Sequence, residues 1–129
     1  MINRTKLITA AVVLFGLQLG WWATLKGGAY ERMMPRVQGT PLIFDWGQAA
    51  LANSLLLVGF GAFVIPCMAS RSGVTDKMMC AFLFGAVLSG FHNFCNAAIL
   101  TNWDMRLGML DVLWTATAFA VTAWVVAMV

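Results

Sequence analysis

The chain has 129 residues, enough for a single domain. Hydrophobic residues make up 61% of it and charged residues only 10%, whereas a soluble domain carries about 25% charged residues to cover its surface. The composition therefore excludes a water-soluble globular protein and indicates one that lipid surrounds. The net charge of +3 is too small and too scattered to indicate a nucleic-acid-binding protein.

Four hydrophobic stretches are long enough to cross a membrane as helices, because each approaches the ~20 apolar residues that the hydrocarbon core requires. Helices are expected because every backbone amide in lipid must be hydrogen-bonded within its own segment or a closed barrel. Short connections make neighbouring helices antiparallel. The sequence therefore predicts an all-α, integral membrane four-helix bundle in one transmembrane domain, residues 1–129. The predicted spans are residues 7–25, 43–66, 78–100 and 107–128.

The first predicted span lies where a signal peptide would lie, after Arg4 and Lys6. It is longer than a typical signal core, ends at Trp21 and Trp22, and lacks a small-x-small cleavage site there. We therefore interpret it as an uncleaved span. Glycines and prolines punctuate residues 26–41, which predicts a loop that could include one short interfacial turn.

The three cysteines, Cys67, Cys80 and Cys95, have no paired spacing of the metal-binding kind. Cys67 and Cys80 fall at adjacent predicted helix ends, so a disulfide between them is one alternative. We interpret them instead as two unrelated small apolar residues, the more common use of cysteine in a buried position.

Basic residues are almost evenly divided between the two sides of the predicted membrane, so the positive-inside rule gives nearly a tie. We expect both termini in the cytoplasm. The amino end and second connection hold Arg4, Lys6, Arg71 and Lys77, and the first and third connections hold Lys26, Arg32, Arg36 and Arg106.

Polar residues recur at three- and four-residue spacing in the third span, which places them on one helix face. That face should point into the bundle, since polar groups facing lipid are costly. Asp111, an acid within the fourth span, lies near the positive end of its helix, which favours the ionised form. The candidate polar pocket comprises Gln18, Asn53, Ser89, His92, Asn93, Asn96, Asp111 and Trp114. The alternative is interhelical hydrogen bonding, at about 1 kcal/mol or less per bond.

His92 also raises the question of a cofactor, because a histidine on a transmembrane helix can ligate a haem or chlorophyll ring. With one histidine in the chain, two-histidine ligation within it is excluded. We expect no cofactor and no metal, with a tetrapyrrole at His92 as the alternative. Gly16 and Gly20 form a GxxxG pair, and Gly85 with Ser89 a looser analogue, either of which could pack within the bundle or against a second chain.

Residues 90–115, GFHNFCNAAILTNWDMRLGMLDVLWT, resemble the closing signature of a family of small bacterial membrane proteins, domain-of-unknown-function family 2177. The similarity includes the spacing of Gly90, Asn96, Trp103, Asp111 and Trp114, and extends to Trp21, Tyr30 and residues 63–66. The resemblance implies four spans and residence in a bacterial inner membrane, and no particular activity. Gln18 and Asn93 stand where the family usually has acids, which argues against a proton relay through paired acids.

Three functions follow as hypotheses. The first is a non-catalytic accessory or scaffold subunit, with lipids and other membrane chains or further copies of itself as partners. The second is a small transporter or binding protein for a lipid or small metabolite, with a polar intramembrane pocket. The third is a membrane enzyme acting on lipid, for which the sequence offers no GxSxG, HExxH or paired acids and hence no candidate catalytic residue.

Overall fold

The computed structural model describes residues 3–129, and within that range it contains four long helices, each apolar enough to cross a membrane. This confirms the predicted all-α four-helix architecture. Short connections join the helices in order. The helices are α1, Arg4–Gln38; α2, Trp46–Ala69; α3, Val74–Ile99; and α4, Met105–Ala127.

The fourth helix forms the centre of the bundle and packs against both α1 and α3. Phe60 of α2 and Phe119 of α4 lie with ring centroids 5.9 Å apart in a core that also buries Leu14 of α1. Helices α3 and α4 approach closely at Gly85, where an added Cβ would lie 3.0 Å from the Thr115 carbonyl oxygen. The small residue at position 85 is thus used inside the bundle.

The first helix is much longer than predicted, because it continues through the segment we expected to be a loop and ends at Gln38. Its last part is amphipathic: Tyr30 and Met33 are buried in a cluster with Leu107, whereas Arg32 and Arg36 are exposed. Packing of this apolar face compensates for the low helix propensity of the two glycines that begin the segment. The prediction of a loop over residues 26–41 was therefore wrong as far as Gln38.

The helix stops at Gly39, whose φ of 76° is the left-handed conformation that commonly terminates helices. The remaining connection is short. It ends at Asp45, whose side chain accepts a hydrogen bond of 3.0 Å from the Gln48 amide and caps α2.

The two halves of α2 differ in how deeply their side chains are buried. Residues Trp46–Gly59 bury no side chain, whereas the part from Phe60 onwards contributes Phe60, Val64 and Met68 to the core. A π-helical turn, Phe60–Val64, precedes Pro66. Proline has no amide hydrogen to donate to the preceding turn, which accounts for a wide turn at this point. The first half of α2 is therefore the more exposed half, and Leu56 and Leu57 near its end are only partly buried against the core.

Cys67 and Cys80 form a disulfide that joins the end of α2 to the beginning of α3, with their Cα atoms 6.1 Å apart. Our interpretation of these residues as unrelated was therefore wrong. The turn between the two helices is so short that it holds the two cysteines within bonding range. Cys95 is a free, exposed cysteine.

Candidate functional site

A buried carboxylate lies where α1, α3 and α4 meet. Asp111 is only 2% exposed. Its Oδ1 accepts from Lys26 Nζ at 2.8 Å and from Trp21 Nε1 at 3.1 Å. Its Oδ2 accepts from Ser89 Oγ at 3.2 Å and from Asn93 Nδ2 at 3.0 Å. We call these five residues the Asp111 cluster. It links the fourth helix to the first and the third.

Two members of the Asp111 cluster depend on a local departure from α-helical geometry. Trp21 and Lys26 are five residues apart, which in a regular α-helix would put them about 140° apart around the axis. A π-helical turn, Trp22–Lys26, widens the helix at this point, and the Gly27 amide donates to the Trp22 carbonyl. The wider turn brings residues five apart towards the same side. Both side chains can therefore reach the same oxygen of Asp111.

Two members of the Asp111 cluster, Trp21 and Lys26, were not among the predicted pocket residues. We had interpreted Trp21 as the end of the first span and had assigned Lys26 to a surface loop. Hydrophobic periodicity could not reveal Lys26, since a period of 3.6 residues points it away from Trp21. The available signal was electrostatic. A basic residue directly after the first predicted span and an acid inside the fourth are both costly in lipid unless they pair with each other.

Aromatic rings surround the ion pair. Trp21 stacks on Trp114 with ring centroids 5.1 Å apart and planes 10° apart. Lys26 Nζ lies 5.4 Å from the centroid of the Tyr30 ring, within the range of a cation–π contact. Tyr30 in turn meets Trp103 edge-on, with centroids 5.8 Å apart. The rings limit the access of water to the charges, which strengthens the attraction between them.

Asn93 connects the Asp111 cluster to the close packing of α3 on α4. The side chain is fully buried, and Nδ2 also donates to the Ser89 carbonyl at 3.0 Å. Its Oδ1 has no hydrogen-bond partner among the described residues. A Cβ added at Gly108 would lie 3.0 Å from that oxygen. The absence of a side chain at position 108 is therefore what leaves room for Asn93.

The structure divides the predicted pocket. Ser89, Asn93 and Asp111 come together, with Trp114 beside them. His92 is exposed and shares a hydrogen-bond contact of 3.2 Å with the half-buried Asn96, so the predicted inward face was wrong for His92. The buried residues of α3 are spaced four apart, and His92 is not among them. They are Ala81, Gly85, Ser89 and Asn93.

Two other predicted pocket residues form no hydrogen bond to the Asp111 cluster within residues 3–129. The Asn53 side chain donates to the Ala49 carbonyl of its own helix at 2.8 Å, and Gln18 is half-buried on α1. The side chains that touch Asp111 occupy the space around the carboxylate. A ligand pocket at this point remains a prediction.

Within residues 3–129, no group of three or more histidine, cysteine, aspartate and glutamate side chains is placed to hold a metal ion. His92 lies on the outer surface of α3, so a ring ligated by it would sit outside the bundle. The alternative of a tetrapyrrole at His92 remains a prediction, as does the absence of any cofactor.

Four apolar helices held together by a buried ion pair are the structure of a multi-pass membrane protein. The chain belongs to the DUF2177 family, described as predicted membrane proteins, whose model matches residues 4–128. This confirms the resemblance drawn from residues 90–115 and extends it over nearly the whole chain. No curated protein and no solved structure shows a significant match to the sequence.

Proposed function

We propose that the protein is a non-catalytic accessory or scaffold subunit of a larger membrane complex. The observation that supports this most is that hydrogen-bond donors of this chain already fill the acceptor sites of the Asp111 carboxylate. An ionised carboxylate has about four acceptor sites, and four side-chain donors of this chain already approach its oxygens. Such a group holds α1 and α3 against α4. It has little remaining capacity to bind a ligand or exchange a proton.

The outer surface supports a role in association. A Cβ built at Gly16 or Gly20 would meet no atom within 4 Å, so the GxxxG pair of α1 faces outwards. Gly85, by contrast, is occupied by α4. An outward GxxxG pair permits the backbone of another transmembrane helix to approach closely. The helices also account for most of the chain, which leaves little else to contact a partner.

The second candidate function, a small transporter or binding protein for a lipid or small metabolite, is favoured by one observation. The Lys26 side chain is 21% exposed, so the lysine end of the ion pair is accessible from outside the bundle. An anionic group could approach Nζ there. Under this alternative, Asp111→Asn combined with His92→Ala abolishes ligand binding or flux even in the fraction of the variant that retains its native disulfide and helix content. Unchanged flux would remove it.

We also propose that the protein resides in the bacterial inner membrane, with the disulfide end of the bundle facing the periplasm. Disulfides persist in oxidising compartments and are rare in the cytoplasm. The chain termini lie at the same end as Cys67 and Cys80, because the chain crosses the bundle four times. This reverses the orientation that we expected from the basic residues, whose division was nearly equal.

The test of the scaffold proposal is gentle detergent extraction from native membranes, followed by mass spectrometry of the intact particle. We expect further membrane chains in a fixed ratio, retained in two unrelated detergents. The exposed-site variant Arg32→Ala serves as the control and should retain them. A lone monomer in both detergents contradicts the proposal. A monomer that retains a stoichiometric small molecule favours the binding-protein alternative.

A further inference from the structure

A groove lies on the outer surface between the last part of α2 and the first part of α3. Its volume is about 480 Å³, within the ~300–1,000 Å³ that is typical of ligand sites. The Cys67–Cys80 disulfide lies in its wall and joins the two helices there. We call it the α2–α3 groove, and the lining residues that concern its contents are Phe63, Arg71, Asp76, Met79, Leu83 and Val87.

The α2–α3 groove has the depth of one leaflet of the membrane. Asp76 and Val87 are eleven residues apart on α3, so the groove extends about 16 Å along that helix. The helix has 26 residues and is thus about 39 Å long, about 9 Å more than the hydrocarbon thickness. When this excess is shared equally between its two ends, Asp76 lies at the boundary of the hydrocarbon and Val87 lies near its midplane.

Two opposite charges stand at the outer end of the groove. Arg71 belongs to the short turn before α3, and Asp76 to the first turn of α3, where the helix dipole favours the ionised carboxylate. Both side chains are exposed, and within residues 3–129 neither forms an ion pair. A guanidinium group binds phosphate well, and a carboxylate accepts hydrogen bonds from an ammonium group. The outer end is therefore complementary to a phosphate and an ammonium on one molecule.

Below these charges the groove is apolar. Met79, Leu83 and Val87 recur every four residues along α3, and Phe63 faces them from α2. These four side chains are 49% to 72% exposed. At their depth an acyl chain can fill the groove without removing any polar group from water. A phosphate and an ammonium at the boundary, joined to a chain that reaches the midplane, are the parts of a phospholipid.

The acidic residue determines which phospholipid fits. Arg71 alone would attract the phosphate of any phospholipid. Asp76 repels a headgroup with a net negative charge and attracts one that also carries a positive charge. A primary ammonium can donate hydrogen bonds to the carboxylate, whereas a quaternary ammonium has no hydrogen to donate. The pair of charges therefore favours a headgroup with a primary ammonium.

We infer that the α2–α3 groove binds one phospholipid whose zwitterionic headgroup ends in a primary ammonium, as in phosphatidylethanolamine. The phosphate lies at Arg71, the ammonium at Asp76 and an acyl chain along the apolar wall. The lipid also covers the Cys67–Cys80 disulfide. This site is separate from the Asp111 cluster and does not depend on the proposed scaffold role.

The test is native mass spectrometry of the full-length protein, freed of lipid in micelles and then titrated with one phospholipid at a time. Phosphatidylethanolamine, phosphatidylcholine and phosphatidylglycerol with identical acyl chains are the probes. We expect one phosphatidylethanolamine per chain, retained at about tenfold lower lipid concentration than the other two, because only it forms the charged hydrogen bond to Asp76. Equal retention of the three lipids indicates an ordinary lipid shell and overturns the inference, as does a preference for phosphatidylglycerol.

Variants locate the lipid in the groove. Asp76→Asn should remove the preference for phosphatidylethanolamine, and Arg71→Gln should weaken its retention by about tenfold. Leu83→Trp fills the groove without removing a charge and should displace the lipid. The matched control is Arg4→Gln, which removes an exposed charge at the same end of the bundle but outside the groove, and it should change nothing. Selective retention that is unaltered in all three groove variants overturns the site.

The disulfide supplies a second readout that does not require the variants. Because Cys67 and Cys80 line the groove, bound phosphatidylethanolamine should slow their reduction by a water-soluble phosphine, and phosphatidylglycerol at the same concentration should not. Equal rates of reduction with the two lipids contradict the placement. Neither experiment concerns the other membrane chains by which the scaffold proposal is tested, so the two proposals can fail separately.

Discussion

Removal of the positive member of the buried ion pair should be strongly destabilising. Lys26→Met keeps most of the side-chain volume but leaves the Asp111 carboxylate, which is 2% exposed, without its counter-charge. Breaking a buried ion pair on one side costs about 3–5 kcal/mol, because the remaining charge is buried and uncompensated. The carboxylate retains three neutral donors, at 3.0 to 3.2 Å. We therefore expect a loss near the lower end, about 3 kcal/mol.

A double-mutant cycle separates this effect from a loss of packing. Asp111→Asn in the Lys26→Met background removes the uncompensated charge, so the double variant should be more stable than Lys26→Met alone. The coupling between the two positions should be about 2 kcal/mol, larger than that of a typical hydrogen bond in a membrane protein. Lys77→Met is the control, because Lys77 forms no ion pair within the part of the chain that the structure describes. Its effect should stay within about 0.5 kcal/mol.

The assay is reversible unfolding in mixed micelles with increasing denaturing detergent, followed by tryptophan fluorescence. Trp21 and Trp114, which stack beside the ion pair, report directly on its surroundings. If the Lys26→Met and Asp111→Asn effects simply add, or if Lys26→Met costs no more than Lys77→Met, the ion pair does not hold the bundle together.

Three further predictions concern the surroundings of the Asp111 cluster and the thiols. Trp21→Phe keeps an aromatic ring but removes the indole donor, so unfolding in the same assay should become easier by about 1–3 kcal/mol, and an unchanged stability would contradict the hydrogen bond. Gly85→Ala should destabilise by about 1–3 kcal/mol because the new Cβ would lie 3.0 to 3.1 Å from atoms of α4. Gly90→Ala on the same helix meets nothing within 4 Å and should be neutral or slightly stabilising, so equal losses at the two glycines would show that helix packing is not the cause. Alkylation of the denatured, non-reduced protein should modify only Cys95, whereas reduction should release two more thiols, and three reactive thiols before reduction would exclude the disulfide.

The general fold could be predicted from the sequence because the physical requirement is simple. Each span needs about 20 apolar residues and an internally bonded backbone, and that constraint is visible in composition alone. The amphipathic end of α1 was not predicted, since Gly27, Gly28 and Pro35 are common loop residues. Their positions become compatible with a helix only once Tyr30 and Met33 pack against α4.

The candidate site could be predicted in part. Asp111 and its partners Ser89 and Asn93 follow from the cost of polar groups in lipid and from four-residue spacing. Lys26 could not be found in this way, because its contact depends on a π-helical turn that no residue pattern in the chain specifies. The same periodicity led us to predict that His92 faces the interior of the bundle. Residues three and four apart on a helix lie near one face, but they do not all contact the same neighbouring helix.

One buried carboxylate joins α1 and α3 to α4, and the contact between Lys26 and Asp111 can be measured in lipid. Solid-state NMR of the protein in lipid, with ¹⁵N at lysine side-chain nitrogens and ¹³C at aspartate carboxyl carbons, measures the dipolar coupling between them. The 2.8 Å separation of Lys26 Nζ and Asp111 Oδ1 places Nζ close enough to the Asp111 carboxyl carbon for a measurable coupling, which disappears in Lys26→Met. A spectrum that is the same with and without Lys26 would show that Lys26 and Asp111 do not pair in the membrane.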